Sequence, residues 1–154
     1  MLSLHVENAK QTNLVDLNKI MRRSKGFWGY SESYLDEFMQ RLPVTENCIK
    51  NYDMYCVYID GILGAFYGFK KNDEDQDELD FFFLDAPYIG KGLGRELWKF
   101  SLISAKELKI KTFVIASEPH AEKFYLKMGC KKIGVRPPPI VSMPDIPLLI
   151  YSIE

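Results

Sequence analysis

Two apolar runs rich in Tyr, Val and Phe, Met54–Ile59 and Ile62–Phe69, are separated only by Asp60-Gly61. A connection that short makes its flanking strands antiparallel, and Asp-Gly suits the left-handed backbone of a type I′ turn, so the segment reads as a β-hairpin. An acidic stretch from Asp73 to Asp80 follows, and Glu78 to Leu84 returns as the third strand of a meander. Around this meander, 154 residues with 47% hydrophobic and 27% charged side chains supply enough apolar surface for one core, with no length left for a second. One domain over residues 1–154 is expected.

Elsewhere the pattern alternates between strands and helices. Leu2 to Val6 reads as a short strand, and Asn13 with Asp16 three residues later opens a helix whose Leu14, Leu17, Ile20 and Met21 share one face. A second helix starts at Ser31 and carries Tyr34, Leu35, Phe38, Met39 and Leu42 until Pro43 ends it. Beyond the meander, Gly90 to Gly94 leads into a helix carrying Leu97, Trp98, Leu102, Ala105 and Leu108, and the β-branched run Thr112 to Ala116 reads as a buried strand. His120 to Met128 is a short helix closed by Gly129, with Cys130 to Val135 and Leu148 to Ile153 as the last two strands. The connection from Glu78–Leu84 through a helix to Thr112–Ala116 has the length of a right-handed crossover between parallel strands. The fold class is therefore α+β: a mixed central sheet of about six to seven strands, antiparallel in its first half, with helices on both faces.

Several classes of function drop out. Cys48, Cys56 and Cys130 are widely spaced and the histidines are His5 and His120 alone, which argues against a disulfide framework and against a metal site. Residues 1–12 lack the basic start and apolar stretch of a signal peptide, and no run of about 18 apolar residues occurs, so a cytoplasmic protein with no membrane partner is expected. A net charge of −1 argues against a nucleic-acid partner. That average hides three blocks: residues 1–90 hold 9 Lys+Arg and 15 Asp+Glu, residues 91–136 hold 11 and 4, and residues 137–154 hold 0 and 2. The positive block begins at a glycine-rich turn, which suggests one field for an anionic ligand and another for a cationic one.

That turn is Tyr88-Ile89-Gly90-Lys91-Gly92-Leu93-Gly94-Arg95, between a strand and a helix. A helix start offers unpaired N–H groups and about half a positive charge, and glycines let an anion reach that backbone, so phosphate is the natural ligand. The spacing is neither the Gly-x-Gly-x-x-Gly of a dinucleotide fold nor a Gly-Lys-Ser/Thr loop. It resembles the Arg/Gln-x-x-Gly-x-Gly/Ala motif of the GNAT N-acetyltransferase superfamily, with Gly92 and Gly94 at its last two positions and Ile89 at its first. A second segment, Glu118-Pro119-His120-Ala121-Glu122-Lys123-Phe124-Tyr125-Leu126-Lys127-Met128-Gly129, is similar to that superfamily's Asn-x-x-Ala-x-x-Phe-Tyr-x-x-x-Gly, with Glu118 in place of Asn. Ser24-Lys25-Gly26-Phe27-Trp28-Gly29-Tyr30, Leu79 to Asp85 and Ile146 to Leu149 look like one branch of it, marked by Ser-Lys-x-x-Trp-Gly-Tyr.

The resemblance implies direct transfer of acetyl from acetyl-CoA, the cofactor, to the amine of a small-molecule or peptide acceptor. It places Ile89, Gly90, Lys91, Gly92, Leu93, Gly94 and Arg95 around the cofactor's pyrophosphate and Phe82, Phe83 and Leu84 along its pantetheine arm, and it adds Glu118, Ala121 and Phe124 to the cofactor-binding residues. Tyr125 is implied as the group that protonates the departing thiolate. A primary amine with a pKa of about 10.4 must shed a proton at a cost of about 4.6 kcal/mol at pH 7, and a carboxylate reached through water is the usual remedy. Asp80 is the candidate base, with Glu78 on the same strand face as second choice. His120 reads as a first-turn residue of its helix. Trp28, Tyr30 and Tyr34, near the acidic Glu32, Asp36 and Glu37, are the candidates to embrace a cationic acceptor, with Pro137 to Pro139 nearby. The rival reading is a non-catalytic acyl-CoA-binding sensor or protein-interaction module on the same fold; Tyr125 favours the enzyme. Nothing in the sequence fixes the oligomeric state, and a homodimer is admitted.

Overall fold

The computed structural model describes residues 2–140 and 143–154. In chain order the elements are β1 (Leu4–Asn8), α1 (Leu14–Gly26), α2 (Glu32–Arg41), α3 (Glu46–Asn51), β2 (Asp53–Ile59), β3 (Ile62–Lys71), β4 (Asp77–Leu84), α4 (Leu93–Glu107), β5 (Thr112–Ala116), α5 (Glu122–Lys127), β6 (Lys131–Arg136) and β7 (Ile146–Ser152). The seven strands form one sheet in the order β1-β2-β3-β4-β5-β7-β6. All neighbouring pairs are antiparallel except β4 and β5, which run parallel through the α4 crossover.

The Asp60-Gly61 turn takes φ values of 50° and 80°, the left-handed pair that a type I′ turn needs, and Ile59 faces Ile62 across it. Ser31 caps α2 by accepting the Tyr34 N–H at 3.1 Å. The expected Asn13 start of α1 takes a different form, because Asn13 ends a 3-10 turn and its side chain accepts the Lys10 N–H at 2.8 Å. The sequence reading missed α3, whose six residues bury only Cys48 and show no periodicity; it is marked by the Thr45 cap on the Cys48 N–H at 3.2 Å.

Core side chains divide between the two faces of the sheet. Leu17, Ile20 and Met21 of α1 pack with Cys56, Phe66 and Phe81 on one face, while Leu97 and Trp98 of α4 and Tyr125 of α5 pack with Tyr67, Phe69 and Phe113 on the other. β4 serves both faces through a bulge. Leu79 faces Phe69 and Phe81 faces Gly68, so Asp80 is the extra residue. The bulge shifts the strand's alternation, leaving Leu79 with the α4 cluster and Phe81 with the α1 cluster.

The same strand carries the sheet's weakest seam. β4 and β5 share a single register position, Glu78 against Val114, whereas β3 and β4 pair from Ala65–Leu84 to Lys71–Asp77. Past that position the sheet opens between the two strands, and among the described residues the backbone of Asp80 to Leu84 has no strand partner on that side.

Candidate functional site

At the end of β4, Asp85 accepts two hydrogen bonds from the Arg23 guanidinium, both at 2.9 Å, and one from the Ala86 N–H at 2.8 Å. This forked contact ties α1 to the start of the glycine turn. Gly90 and Gly92 take φ values of 82° and 80°, and a Cβ at either would meet nothing within 4 Å. Gly92 is the N-cap of α4 and supplies no side-chain cap, so the first N–H groups of the helix have no capping side chain. Gly94 serves packing instead, since a Cβ there would come within 3.2 Å of the Phe124 ring. Leu93 is buried, so its contribution to the turn is its backbone; Lys91 and Arg95 are exposed and form no ion pair among the described residues. Ile89 follows a 3-10 turn over Ala86–Tyr88 in extended backbone.

Phe82 and Phe83 point to opposite faces. Phe82 packs on the α4 side with Trp98 at 6.0 Å, Phe124 at 5.9 Å and Tyr125 at 5.7 Å between ring centroids, and Leu84 and Ala121 adjoin that cluster. Tyr125 is 5% exposed. Its burial, helped by the neighbouring Cys130 and Glu118, pushes the phenol pKa up and keeps it protonated at neutral pH. Phe83 stacks on Phe66 at 5.5 Å on the α1 side, where it lines a cavity of about 440 Å³.

That cavity spans the seam. Asp80, Phe81 and Phe83 of β4 line it together with Ala116, Ser117 and Glu118 at the end of β5, and α1 and α2 contribute Lys25, Tyr34 and Phe38. The Asp80 carboxylate lies 3.5 Å from Lys70. Burial pushes its pKa up and the nearby Glu78 adds to this, with Lys70 opposing, and the net shift is upward. Glu78 does share that strand face, but it is 4% exposed and is engaged by Asn72 at 3.2 Å and Arg136 at 3.5 Å.

Across the cavity, Glu118 gathers three partners. Lys25 Nζ sits 2.6 Å from its Oε2, and the Tyr30 hydroxyl and His120 Nδ1 lie 2.6 Å and 2.7 Å from its Oε1. Burial raises the Glu118 pKa, but Lys25, Tyr30 and His120 more than offset this, and the carboxyl ends below its usual range. The Lys25 ammonium also lies over three aromatic rings, 4.2 Å from the Phe38 centroid, 5.3 Å from Tyr30 and 5.8 Å from Tyr34.

Three sequence expectations change in consequence. Glu118, assigned to the cofactor, turns its side chain to the cavity between α1, α2 and β4, where Lys25 is buried and needs a counter-charge. Tyr30 and Tyr34 line the cavity, yet the chain's own Lys25 occupies the cage they form with Phe38. Trp28 is absent from the lining; it stacks on His120 at 5.2 Å with planes 8° apart. Two ion pairs, Lys25–Glu118 and Arg136–Glu78, join the two charge blocks. Arg23, Asp85 and Lys70 were missed. The motif reading spotted Lys25 and Glu118, but nothing local pairs two residues 93 positions apart.

A family model described as an acetyltransferase (GNAT) domain matches residues 22–137. No curated protein sequence matches the chain. Among solved structures, PaiA N-acetyltransferase from Thermoplasma acidophilum in complex with coenzyme A superposes with a TM-score of 0.76 at 17% identity, covering 98% of this chain and 99% of that one. A GCN5-related N-acetyltransferase from Rhodopseudomonas palustris gives 0.79 at 13% identity over 97% and 95% of the two chains. The ribosomal-protein-S18-alanine N-acetyltransferase of Escherichia coli gives 0.68 at 18% identity over 97% and 94%. The family match runs from the second half of α1 through the meander, the glycine turn and the Glu118–Gly129 segment to the end of β6, and with it the chain belongs to the GNAT acetyltransferase family.

Proposed function

We propose that this acetyltransferase moves the acetyl group of acetyl-CoA directly onto an amine held in the cavity between α1, α2 and β4. The observation that carries the reading is the seam itself: the cavity is lined from both β4 and the end of β5, and the uncapped turn of Gly90 and Gly92 lies just beyond the end of β4. Acetyl-CoA fits that turn because open space stands where any Cβ would project, and when bound it supplies an activated thioester. The N–H groups of the turn would hold its diphosphate, and the edge of Phe82 to Leu84 that faces away from β3 would line its arm.

Asp80, with its raised pKa, takes the proton that the amine sheds, directly or through one water. Tyr125, held protonated by burial, gives a proton to sulfur as the C–S bond breaks and the N–C bond forms. Glu118 positions Lys25 and Tyr30 at the cavity wall, and this contact of Ser24–Tyr30 with Glu118 supports the Ser-Lys-x-x-Trp-Gly-Tyr branch. The buried thiols of Cys48, Cys56 and Cys130 are free, which supports a cytoplasmic setting. A non-catalytic sensor would have a plugged acceptor side, and the open volume of about 440 Å³ supports turnover instead.

Thiol release from acetyl-CoA across an amine panel tests the reading, with cofactor binding followed by calorimetry. Turnover is expected to fall by about 10²–10⁴ in Asp80→Asn while cofactor binding is kept. An unimpaired Tyr125→Phe enzyme would remove the general-acid role, and undetectable acetyl-CoA binding would overturn the proposal as a whole.

A further inference from the structure

The cavity specifies more about the acceptor than that it is an amine. Both carboxylates that line it are already matched, Asp80 with Lys70 at 3.5 Å and Glu118 with Lys25 at 2.6 Å, and Arg41 adds a third cation to the lining. The aromatic cage that would suit an ammonium group holds the Lys25 ammonium. What is left of the wall is mainly apolar: Met21, Phe38, Tyr52, Phe81, Phe83 and Ile140 all face the space. A second positive charge on an acceptor would be desolvated there with no unmatched partner, whereas an apolar body meets complementary surface. The volume of about 440 Å³ lies toward the small end of ligand sites of about 300–1,000 Å³, room for one compact group.

We propose, resting on the acetyl-transfer reading above, that the acceptor is a monoamine carried on one compact apolar body, aromatic or branched aliphatic, which enters amine-first toward Asp80 with its body against Phe81 and Phe83. Polyamines and aminoglycosides are excluded as preferred substrates. The same chemistry is offered by a free arylalkylamine and by a peptide that begins with a large apolar residue.

The test compares kcat/KM for 2-phenylethylamine, isoamylamine and a Phe-initiated tetrapeptide with kcat/KM for putrescine, spermidine and kanamycin. In parallel, 2-phenylethylamine is titrated into the full chain by NMR without a donor. Preference for an apolar monoamine by about tenfold or more supports the proposal, and the peptide arm separates its two sources. Equal or better use of the polycations overturns it, as does the absence of both turnover and saturable binding of the apolar amines. Saturable binding of 2-phenylethylamine without transfer to any amine supports the cavity assignment while the acetyl-transfer reading fails. In Lys25→Met, whose folding is checked by circular dichroism, the discrimination against putrescine should shrink because Glu118 and the cage are released. An unchanged ratio in the folded variant overturns the role given to the filled cage, and the wild-type panel decides independently of that variant.

Discussion

Lys25 is 5% exposed, and its ammonium is stable there because Glu118 lies 2.6 Å away. Removing one member of such a buried pair leaves the other uncompensated, so Lys25→Met should cost about 3–5 kcal/mol of unfolding free energy, with much of the loss recovered in Lys25→Met/Glu118→Gln. Urea titration of the two variants measures this. The Glu118 pKa is lowered on folding from its usual 4.5, so the pair's contribution is complete above that pH and is lost as the pH falls through the lower folded value. Urea midpoints should therefore drop for the wild type below about pH 4.5 and change less for Glu118→Gln. Asp80 shifts the other way, upward from 3.8, so the acid limb of kcat/KM should lie above the ordinary aspartate range and vanish in the residual activity of Asp80→Asn. Tyr125, Glu118 and Tyr30 were each visible in the sequence as motif residues. The pairing of Glu118 with Lys25 and Tyr30 was not, because contacts across 88 and 93 positions are a property of the packed sheet rather than of any segment.

At the scale of elements, the glycines of the turn do two kinds of work, and substitution should separate Gly92 from Gly94. Gly92→Ala places a Cβ in the left-handed region at φ 80°, costing about 1–2 kcal/mol, and projects it into the space where the turn is open. Its main readout is weaker acetyl-CoA binding in calorimetry. Gly94→Ala drives a Cβ to 3.2 Å from Phe124, so it should disturb the α4–α5 contact and lower the melting temperature before it touches binding. Elements with a strong local signal were legible in advance: the Asp60-Gly61 hairpin, the Ser31 cap, the α1 stripe and the β5 run all rest on neighbouring residues. The Asp80 bulge was not, because it arises between two strands. Gly68 of β3 faces Phe81 of β4, and a Cβ there would displace the Met54 thioether of β2, a contact among three strands that no one of them signals. That unseen bulge is what brings both Asp80 and Phe81 to the cavity.

On the scale of the whole molecule, the sheet is two well-paired parts, β1 to β4 and β5 to β7, joined by one register position at Glu78 and Val114. Core packing also crosses that divide, with Phe69 on Phe113 at 5.3 Å between ring centroids, and so do the ion pairs of Lys25 with Glu118 and Arg136 with Glu78. A ligand seated in the seam would add contacts to both parts at once, and binding only the folded state stabilises it by about 2.7 kcal/mol at a concentration 100 times Kd. Acetyl-CoA should therefore raise the melting temperature and slow amide exchange at Phe82 to Leu84, Gly90 to Gly94 and Ser117 to Glu118, while β1 and β2, remote from the opening, change little. Exchange mass spectrometry with and without acetyl-CoA measures the pattern. Protection confined to β1 and β2, or protection at the turn without any at Ser117 and Glu118, would mean that the donor does not bridge the seam, and the cavity would then lose its link to the reacting thioester.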